Sequence, residues 1–480
     1  MKKEKVIKII TLALGCISLG FTQFVHVPAL YGIATLFPFF FLINTRKAKD
    51  KRELRNIGIL FAVFFVVRFY GFFGIPVADI LLFFIAGLFI YWAFVLDHFQ
   101  YKMNDGIISV FTLPLSWLTL YALAGLLRVN PALRLDFYWA ETLPVAQVTS
   151  IIGSYGLTFV ILLVCALFAH TVTKKTPWTA VVAVLLCGLV LGFGFYRLSN
   201  AKPEEKGTVK VAYGIGANYG DFLTYESPDD EQDFYDLAII LQDVPNDIDM
   251  FVMAEESFFF DNEENEKEFL DIVTDFAATR EIYVMIPIDV KLEDGEYNRL
   301  YWIGPDGEII CSYNKRMTIP LIETLFYERG DGKIAEFTAT INGQDIKIAS
   351  VICFDGDFPN YLSKVSDDVD WFIIPSWDWS GVALLHKGIQ SINPIENGVT
   401  TLKPTYDGYT IVVDPYGNVT TMNSTDEYGF YSVTELVVTV KSTDTVFDSI
   451  GPYLLWLCPI LLFFCFASTL IGKKKNKKKT

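Results

Sequence analysis

Eight long apolar stretches surround a polar segment of about 245 residues, and this arrangement constrains the fold more than any other feature of the chain. A helix needs about 20 mostly apolar residues to cross the hydrocarbon core of a bilayer. The sequence therefore predicts eight transmembrane helices around one polar domain. Seven stretches precede residue 200 and one follows the polar segment, at about 6–24, 28–44, 56–75, 77–96, 106–127, 149–171, 177–197 and 450–472. The first lacks a small-residue cleavage site and is followed by further spans, so we interpret it as a retained helix.

Clusters of Lys and Arg predict the orientation of these spans. They precede span one, separate spans two and three, four and five, and six and seven, and follow span eight: Lys2, Lys3 and Lys5; Arg46, Lys47, Lys49, Lys51, Arg52 and Arg55; Lys102; Lys174 and Lys175; Lys473, Lys474, Lys475, Lys477, Lys478 and Lys479. With eight spans, every cluster falls on the same side, which the positive-inside rule assigns to the cytoplasm. Both termini are then cytoplasmic, and residues 200–448 are extracytoplasmic.

Composition and charge agree with a membrane protein and argue against nucleic-acid binding. The chain of 480 residues is 52% hydrophobic and 15% aromatic, with a formal net charge of −16, whereas nucleic-acid binding needs a basic footprint. The basic tail directly follows an apolar span, which is typical of a stop-transfer signal that contacts anionic lipid. The outer loop 128–148 carries interfacial aromatic residues, so it is either a segment on the bilayer surface or a plain connector.

The number and spacing of the seven Cys and four His argue against a metal site or a framework of disulfides. Five Cys fall in apolar spans, where Cys behaves as a small hydrophobic residue, and only Cys311 and Cys353 lie in the polar domain. A disulfide between these two is possible from number alone, but no spaced framework or CxxC pattern is present. The four His are His26, His98, His170 and His386, too few to favour a His-rich metal site or a Ser-His-Asp triad.

The polar domain alternates strand-like and helix-like runs, which predicts an α/β sandwich. The strand-like runs are Val209–Tyr213, Met250–Met253, Tyr283–Ile288, Leu300–Ile303, Ile346–Ile352, Trp371–Ile374, Tyr409–Val413 and Glu435–Val440. The helix-like runs are Glu231–Gln242, Glu264–Thr279 and His386–Asn393.

Cys353 stands where one apolar, strand-like run ends and the polar run Phe-Asp-Gly-Asp-Phe begins. A thiol at the end of a strand is in a suitable place to act as a nucleophile, provided that a neighbouring base or cation helps to form the thiolate. A buried structural Cys would show the same local pattern, so this residue alone decides nothing.

Glu255 and Lys315 occupy comparable positions upstream. Glu255 follows the alternating run 249–254, so it shares one face of the strand with Met253, and Glu256 takes the other face. A carboxylate at this position can act as a general base, and an ammonium group near the thiol can stabilise an oxyanion. A solvated acid and a surface lysine are the plain alternatives, and Glu256 stays open as the alternative base.

The order Glu255, Lys315, Cys353 resembles the carbon–nitrogen hydrolase (nitrilase) superfamily, and nearly the whole chain resembles the bacterial apolipoprotein N-acyltransferase family. The matching motifs are Met253-Ala254-Glu255-Glu256, Tyr313, Lys315, Pro320 and Glu323, Ile352-Cys353-Phe354-Asp355, Tyr297-Asn298, Trp377-Asp378, His386, Glu396-Asn397-Gly398 and Asp414-Pro415-Tyr416-Gly417. Gln147 with the run 153–159 resembles a stretch that opens the sixth span of the membrane family and is missing from soluble nitrilases.

The chain departs from the family pattern close to the matching motifs. The base strand lacks the family's Pro, Met317 replaces a His, and Ile322 replaces a Gly. Phe354 replaces a Tyr and so loses a hydroxyl group, and Asp355 replaces a Glu and so has a shorter reach. These positions adjoin the place where donor and acceptor would meet, so they bear on substrate choice more than on the chemistry.

The resemblance implies a multi-helix transmembrane bundle plus an α/β nitrilase-like αββα sandwich domain. Residues 1–199 form the seven-helix region, 200–448 the extracytoplasmic carbon–nitrogen hydrolase domain, and 449–480 the last helix and a Lys-rich cytoplasmic tail. The implied location is the bacterial plasma (inner) membrane, which the protein crosses several times, and the expected state is a monomer.

The resemblance also implies acyl transfer in two steps, with Cys353 as nucleophile, Glu255 as base and Lys315 stabilising the oxyanion. A phospholipid is the acyl donor, and the N-terminal amine of a lipoprotein's diacylglyceryl-cysteine is the acceptor. No metal or other cofactor is expected. Assisting or substrate-binding roles fall to Glu323, Phe354, Asp355, Tyr297 and Trp377.

Two other functions stay open from the sequence. One is a membrane-bound amidase, or an acyltransferase with another lipid or amine acceptor, and the other is a catalytically silent scaffold that binds lipoproteins. The aromatic runs 257–260 and 324–327 are equally open, because they either contact acyl chains or belong to the core.

Overall fold

The computed structural model describes residues 2–21, 32–129, 131–216, 230–423 and 431–477. The chain divides into two compact units. The helical unit comprises residues 1–200 and 449–480, and the sandwich unit comprises residues 201–448. His26 and the last two lysines of the predicted cytoplasmic cluster, Lys478 and Lys479, lie outside the described residues.

The helical unit contains most of the chain's apolar helices. Their bounds are α1 Lys2–Gly20, α2 Phe37–Arg46, α3 Lys51–Phe69, α4 Pro76–Met103, α5 Thr112–Gly125, α6 Leu143–Ala146, α7 Thr149–Lys174 and α8 Pro177–Ser199, and a last helix, α13 Val446–Lys477, follows the sandwich unit. Within the described residues, four helical segments are long and apolar enough to cross a membrane, at Pro76–Met103, Ile107–Gly125, Thr149–Lys174 and Pro177–Ser199. The eight-span topology and its orientation stay predictions.

A buried ion pair lies among the aromatic side chains of the helical unit. Arg46 donates through Nε and Nη2 to the two carboxylate oxygens of Asp97, each at 2.8 Å, and both side chains are fully buried. A third bond from Arg46 reaches the carbonyl oxygen of Ser109 at 3.1 Å. Two parallel charge-assisted bonds offset much of the cost of removing both charges from water. The pair thereby ties α2 to α4.

The loop 128–148 is packed within the helical unit. It folds into two short 3₁₀ turns and the helix α6, and most of its residues from 133 to 138 are buried. The indole of Trp117 donates to the carbonyl of Leu133, and the backbone N–H of Leu135 donates to the hydroxyl of Thr158. The loop is therefore packed against α5 and α7, because its aromatic residues supply apolar area that the bundle buries.

The sandwich unit is built on two large sheets. The first has the order β15-β1-β2-β4-β5-β6 with β3 paired to β4, the second has the order β14-β13-β11-β9-β8-β7, and β10 pairs with β12 alone. The strands are β1 Glu204–Ile215, β2 Met250–Met253, β3 Phe259–Phe260, β4 Tyr283–Leu292, β5 Gly295–Ile303, β6 Ile309–Asn314, β7 Ala335–Ile341, β8 Gln344–Ser350, β9 Trp371–Ile373, β10 Ser376–Trp377, β11 Thr400–Lys403, β12 Thr405–Tyr406, β13 Tyr409–Val413, β14 Val419–Asn423 and β15 Ser432–Ser442. The helices are α9 Asp230–Asp243, α10 Glu263–Arg280, α11 Pro359–Leu362 and α12 Ala383–Asn397.

The main core lies between the two sheets, because alternate apolar residues of each sheet point inward. Val211, Met250 and Trp302 of the first sheet join Ile348 and Trp371 of the second sheet in this core. A second core covers the outer face of the first sheet, where α9 and α10 bury their apolar sides. The helix α12 packs on the second sheet, so the layers follow the order αββα. The predicted fold class is confirmed.

Candidate active site

Cys353 lies at a sharp turn that follows β8. Its backbone φ is +46°, in the left-handed region that non-glycine residues rarely occupy, and a 3₁₀ helix begins there and runs to Asp357. The Cys353 N–H donates to the carbonyl of Pro375 at 2.8 Å, and Sγ lies 3.9 Å from the carbonyl of Trp377. Strained backbone held by its surroundings is common at reactive residues. The turn keeps a buried thiol in a fixed position.

Glu255 follows the parallel strand β2, and both of its carboxylate oxygens are occupied. One oxygen accepts from Lys315 Nζ at 2.6 Å and from Asn298 Nδ2 at 2.8 Å. The other accepts from the backbone N–H of Trp377 at 2.7 Å. The strand β2 is parallel to β1 in the first sheet, and β8 is parallel to β9 in the second sheet. Glu255, Cys353 and Trp377 follow the carboxyl ends of β2, β8 and β9, and contacts to the backbone of Trp377 bring them together.

Lys315 follows β6 and is buried between two carboxylates. Its ammonium group donates to Glu255 at 2.6 Å and to Glu323 at 2.7 Å. Glu323 is held in turn, because its second oxygen accepts from the backbone N–H of Ile319 at 2.9 Å. The exposed fraction of each of the three ionic side chains is at most 7%, so little water screens them.

The charges around the thiol set its resting protonation. Burial opposes the charge on Lys315, but Glu255 and Glu323 outweigh it and raise the pKa of the ammonium well above its usual range. Burial, assisted by Glu255, raises the pKa of the Cys353 thiol well above its ordinary value, although Lys315 acts in the opposite direction. The resting residue is therefore a thiol beside a permanent cation, and its activation requires a base.

Glu256 differs from Glu255 in both geometry and charge. Its backbone φ is +52°, and its carboxylate lies 3.3 Å from Asn298 Nδ2. Burial, with Asp289 and Glu255 nearby, raises the pKa of Glu256 well above its usual range. Among these two acids, Glu255 is the one that bonds to Lys315, which favours it as the base.

The five assisting residues that the sequence indicates have different surroundings. Glu323 bonds to Lys315 at 2.7 Å, and Trp377 bonds to Glu255 through its backbone. The ring of Phe354 meets that of Phe358 edge-on at 4.9 Å. The hydroxyl of Tyr297 donates to Asp294 at 3.2 Å, so the neighbouring Asn298, rather than Tyr297, provides the bond to Glu255.

Asp355 is fully buried. Its carboxylate fastens residues 315–326, which we call the lysine loop, to the Cys353–Asp357 turn, which we call the nucleophile turn. It accepts from Tyr313 Oη at 2.7 Å, from the N–H of Met317 at 2.6 Å and from the N–H of Ile352 at 3.2 Å. The geometry favours a positioning role for this side chain over direct contact with substrate. Burial raises the pKa of Asp355 to about 6, although these bonds stabilise its charged form.

Asp355→Ala is expected to destabilise the protein by about 3 kcal/mol, because the N–H groups of Met317 and Ile352 and the hydroxyl group of Tyr313 lose their bonds to this carboxylate. Acylation of Cys353 should fall as well, since the loop of Lys315 loses its tether. Thermal unfolding together with the acylation rate measures both effects, and Asp345→Ala, at the exposed start of β8, is the control. Equal stability of the two variants would contradict the assigned role.

Sequence reasoning missed a buried charged cluster behind the nucleophile. Asp378 and His386 were indicated only as motif matches, and Lys403 carried no signal at all. Lys403 Nζ lies 2.6 Å from Asp378, and His386 Nδ1 lies 2.5 Å from the same carboxylate. The disulfide that number alone allowed between Cys311 and Cys353 does not form, since both residues are free thiols.

One group of acids at the site has the spacing of metal ligands. Carboxylate oxygens of Glu255, Glu256 and Glu323 lie within 4.8 Å of one another. The ammonium group of Lys315 already bonds to two of them, and its positive charge opposes a metal ion there. We therefore assign no metal to this group.

An αββα sandwich of the nitrilase type, joined to a unit of apolar helices, defines the class of protein. The carbon–nitrogen hydrolase family model matches residues 225–443, which form most of the sandwich unit. Over nearly its whole length the chain is also similar to the apolipoprotein N-acyltransferases, as the sequence predicts.

The similarity is distant in identity but broad in coverage. Apolipoprotein N-acyltransferase from Rickettsia bellii is 22% identical, over 97% of this chain and 98% of the relative. The protein of the same name from Geobacter metallireducens is 23% identical over 84% of this chain and 82% of the relative. The carbon–nitrogen hydrolase superfamily protein XC1258 from Xanthomonas campestris is 17% identical, with a TM-score of 0.39, over 48% of this chain and 91% of that structure.

Proposed function

We propose that this protein is an N-acyltransferase that moves a fatty acyl chain from a phospholipid, through a thioester on Cys353, to the N-terminal amine of a lipoprotein's diacylglyceryl-cysteine. The observation that carries the proposal is the buried pairing of Lys315 with Glu255 and Glu323 beside a strained Cys353. The relatives named apolipoprotein N-acyltransferase support this activity over the alternatives.

The first step forms the thioester. Glu255 accepts the proton of the thiol as Sγ bonds to the ester carbonyl carbon of the phospholipid. The carbonyl oxygen becomes an oxyanion, which Lys315 and the backbone N–H of Phe354 stabilise. When the ester C–O bond breaks, the lysophospholipid oxygen leaves with the proton that Glu255 holds.

The second step transfers the acyl group to nitrogen. The acceptor amine attacks the thioester carbonyl, and Glu255 accepts a proton from the nitrogen. Lys315 stabilises the same oxyanion a second time. Breaking of the C–S bond gives the amide, and the Cys353 sulfur takes the proton back from Glu255.

Exposed apolar residues on the lysine loop support a lipid substrate. Leu321, Leu325 and Phe326 are exposed by 62%, 70% and 66%, while Glu323 between them is buried at the site. Large apolar side chains that are exposed to solvent near a site commonly mark contact with an apolar partner. The other aromatic run differs, because Phe258 and Phe260 belong to the core. Of the two runs, we propose that only the lysine loop contacts acyl chains.

A location and an assembly state complete the proposal. The protein is a multi-pass protein of the bacterial plasma membrane, its sandwich unit is extracytoplasmic, both termini are cytoplasmic, and it acts as a monomer. A reporter fused after Lys475 should then be cytoplasmic, and one at Asn262 should not.

An acyl adduct on Cys353 is the expected result when the full-length protein in detergent micelles is incubated with phospholipid. Peptide mass spectrometry should find the mass of the acyl group on the Cys353 peptide, and hydroxylamine should remove this group. The adduct should be absent in Cys353→Ser. Cys311→Ser is the matched control, since Cys311 lies in the same unit and is also a free thiol.

Other outcomes of this experiment separate the alternatives. Ammonia release from small amides without a lipid adduct would favour the amidase. An adduct that passes to another amine and not to a lipoprotein peptide would favour a different acceptor. No adduct and no ammonia would favour the silent scaffold.

A further inference from the structure

A histidine that the proposed mechanism does not use lies against the nucleophile. A ring nitrogen of His386, a carboxylate oxygen of Asp378 and Cys353 Sγ all lie within 4.8 Å of one another. His386 is 3% exposed and lies on α12, in a different part of the chain from the nucleophile turn.

Both ring nitrogens of His386 face carboxylates on opposite sides. Nδ1 lies 2.5 Å from Asp378, which directly follows β10, and Nε2 lies 3.0 Å from Asp357, which ends the Cys353 turn. A neutral imidazole has one N–H and can donate to only one of the two carboxylates, whereas an imidazolium can donate to both. The ring therefore bridges the turn of Cys353 to the strand that carries Trp377.

Close packing holds this bridge in place. Gln390, one helical turn after His386, donates to Asp357 at 3.0 Å and lies 3.3 Å from the ring. A side chain at Gly356 would place a Cβ atom 2.4 Å from Nε2 of Gln390, so Gln390 would have to move from its present position. Asn393 donates to the Gly356 carbonyl at 2.7 Å, which adds a second bond from α12 to the turn.

The charges in the cluster balance only when the histidine is protonated. Asp357 and Asp378 are the two carboxylates, and Lys403, at 2.6 Å from Asp378, supplies a single ammonium group. Burial opposes a charged ring, but Asp357 and Asp378 outweigh it and raise the pKa of His386 to about 9. His386 and Lys403 together overcome the effect of burial and lower the pKa of Asp378.

We propose that His386 is a positioning residue that works as an imidazolium: it holds the Cys353 turn against the strand of Trp377 and cancels the negative charge that would otherwise oppose the thiolate. The proposal rests on the nucleophilic role of Cys353. Trp377 in turn donates to Glu255 through its backbone N–H. The His386 bridge therefore holds the base Glu255 and the thiol of Cys353 in fixed positions relative to each other.

The rate of Cys353 alkylation by iodoacetamide, measured by peptide mass spectrometry from pH 6 to 10, tests the proposal on the full-length protein. Cys353 stays mostly protonated at pH 8, so His386→Gln should slow alkylation there by about tenfold, as an increase of one unit in the thiol pKa would. Adding Asp357→Asn removes the excess negative charge and should restore most of the rate. His98→Gln in the helical unit should alkylate like the wild type.

A double variant as slow as His386→Gln would overturn the charge role, and an unchanged alkylation rate at pH 8 in His386→Gln would overturn the proposal as a whole. Because no lipid is used, these results are independent of the phospholipid adduct experiment.

A second measurement needs no substitution. The pKa of His386 rises from an unfolded value of about 6.5 to about 9 on folding, so its contribution to stability is complete below pH 6.5 and is lost as the pH rises through 9. The unfolding temperature of the wild-type protein should fall across this window. Equal unfolding temperatures at pH 6.5 and pH 9.5 would contradict a bridging imidazolium.

Discussion

Acylation of Cys353 should slow by about 10²- to 10⁴-fold when Glu255 is replaced by Gln, which is the usual contribution of a general base. The amide keeps the size of the side chain and can still accept from the N–H of Trp377, so the fold should survive. It cannot take the proton of a thiol whose pKa is well above the ordinary value. The measurement is the rate of appearance of the acyl adduct under single-turnover conditions.

Two further variants make this result specific. Glu256→Gln tests the alternative base, and it should change the rate little, because Glu255 is the acid that bonds to Lys315 and to the backbone of Trp377. Glu268→Gln, on the exposed face of α10, is the remote control. A greater loss in Glu256→Gln than in Glu255→Gln would transfer the role of base to Glu256.

The strands that present these residues could be predicted from the sequence because their pattern is local. The runs before Glu255 and Cys353 are apolar and strand-like, and the structure has β2 and β8 there. All eight predicted strands and all three predicted helices of the sandwich unit are confirmed in type. Seven further strands were not predicted. Some are only two residues long, as β10 and β12 are, and β7 alternates with too few large apolar residues to stand out.

The partners of the buried polar groups could not be predicted, because they come from distant parts of the chain. Asn298 reaches Glu255 across 43 residues, and Lys403 reaches Asp378 across 25. The sequence indicates Tyr297, whereas its neighbour Asn298 makes the bond to Glu255, since a strand turns adjacent side chains to opposite faces. Only the register of the strands decides which of the two points to the site.

The position of Asp355 changes where substrate choice has to be sought. As a departure from the family pattern, it bore on the choice of acceptor, yet its carboxylate is occupied by bonds within the protein. Phe354 is partly buried and the apolar residues of the lysine loop are exposed, so we expect these side chains, rather than Asp355, to contact a substrate. Acceptor and donor preference should therefore respond to substitutions at Phe354 and Phe326 more than at Asp355.

Lys315→Met is expected to affect both stability and catalysis. Breaking a buried ion pair by removing one partner typically costs about 3–5 kcal/mol, and here Glu255 and Glu323 both lose the ammonium group. Loss of one oxyanion donor typically slows catalysis by about 10²- to 10³-fold. The unfolding temperature and the single-turnover rate of acylation should therefore both fall. The single variant does not separate the two effects.

The double variant Lys315→Met/Glu323→Gln separates them. It removes one carboxylate along with the ammonium group, while Glu255 keeps its bonds from Asn298 and from the backbone of Trp377. Much of the lost stability should return, because the remaining charge is hydrogen-bonded, yet acylation should stay slow, because the donor to the oxyanion is still missing. Recovery of acylation together with stability would mean that Lys315 only maintains the fold. Recovery of stability alone would assign Lys315 to the transition state.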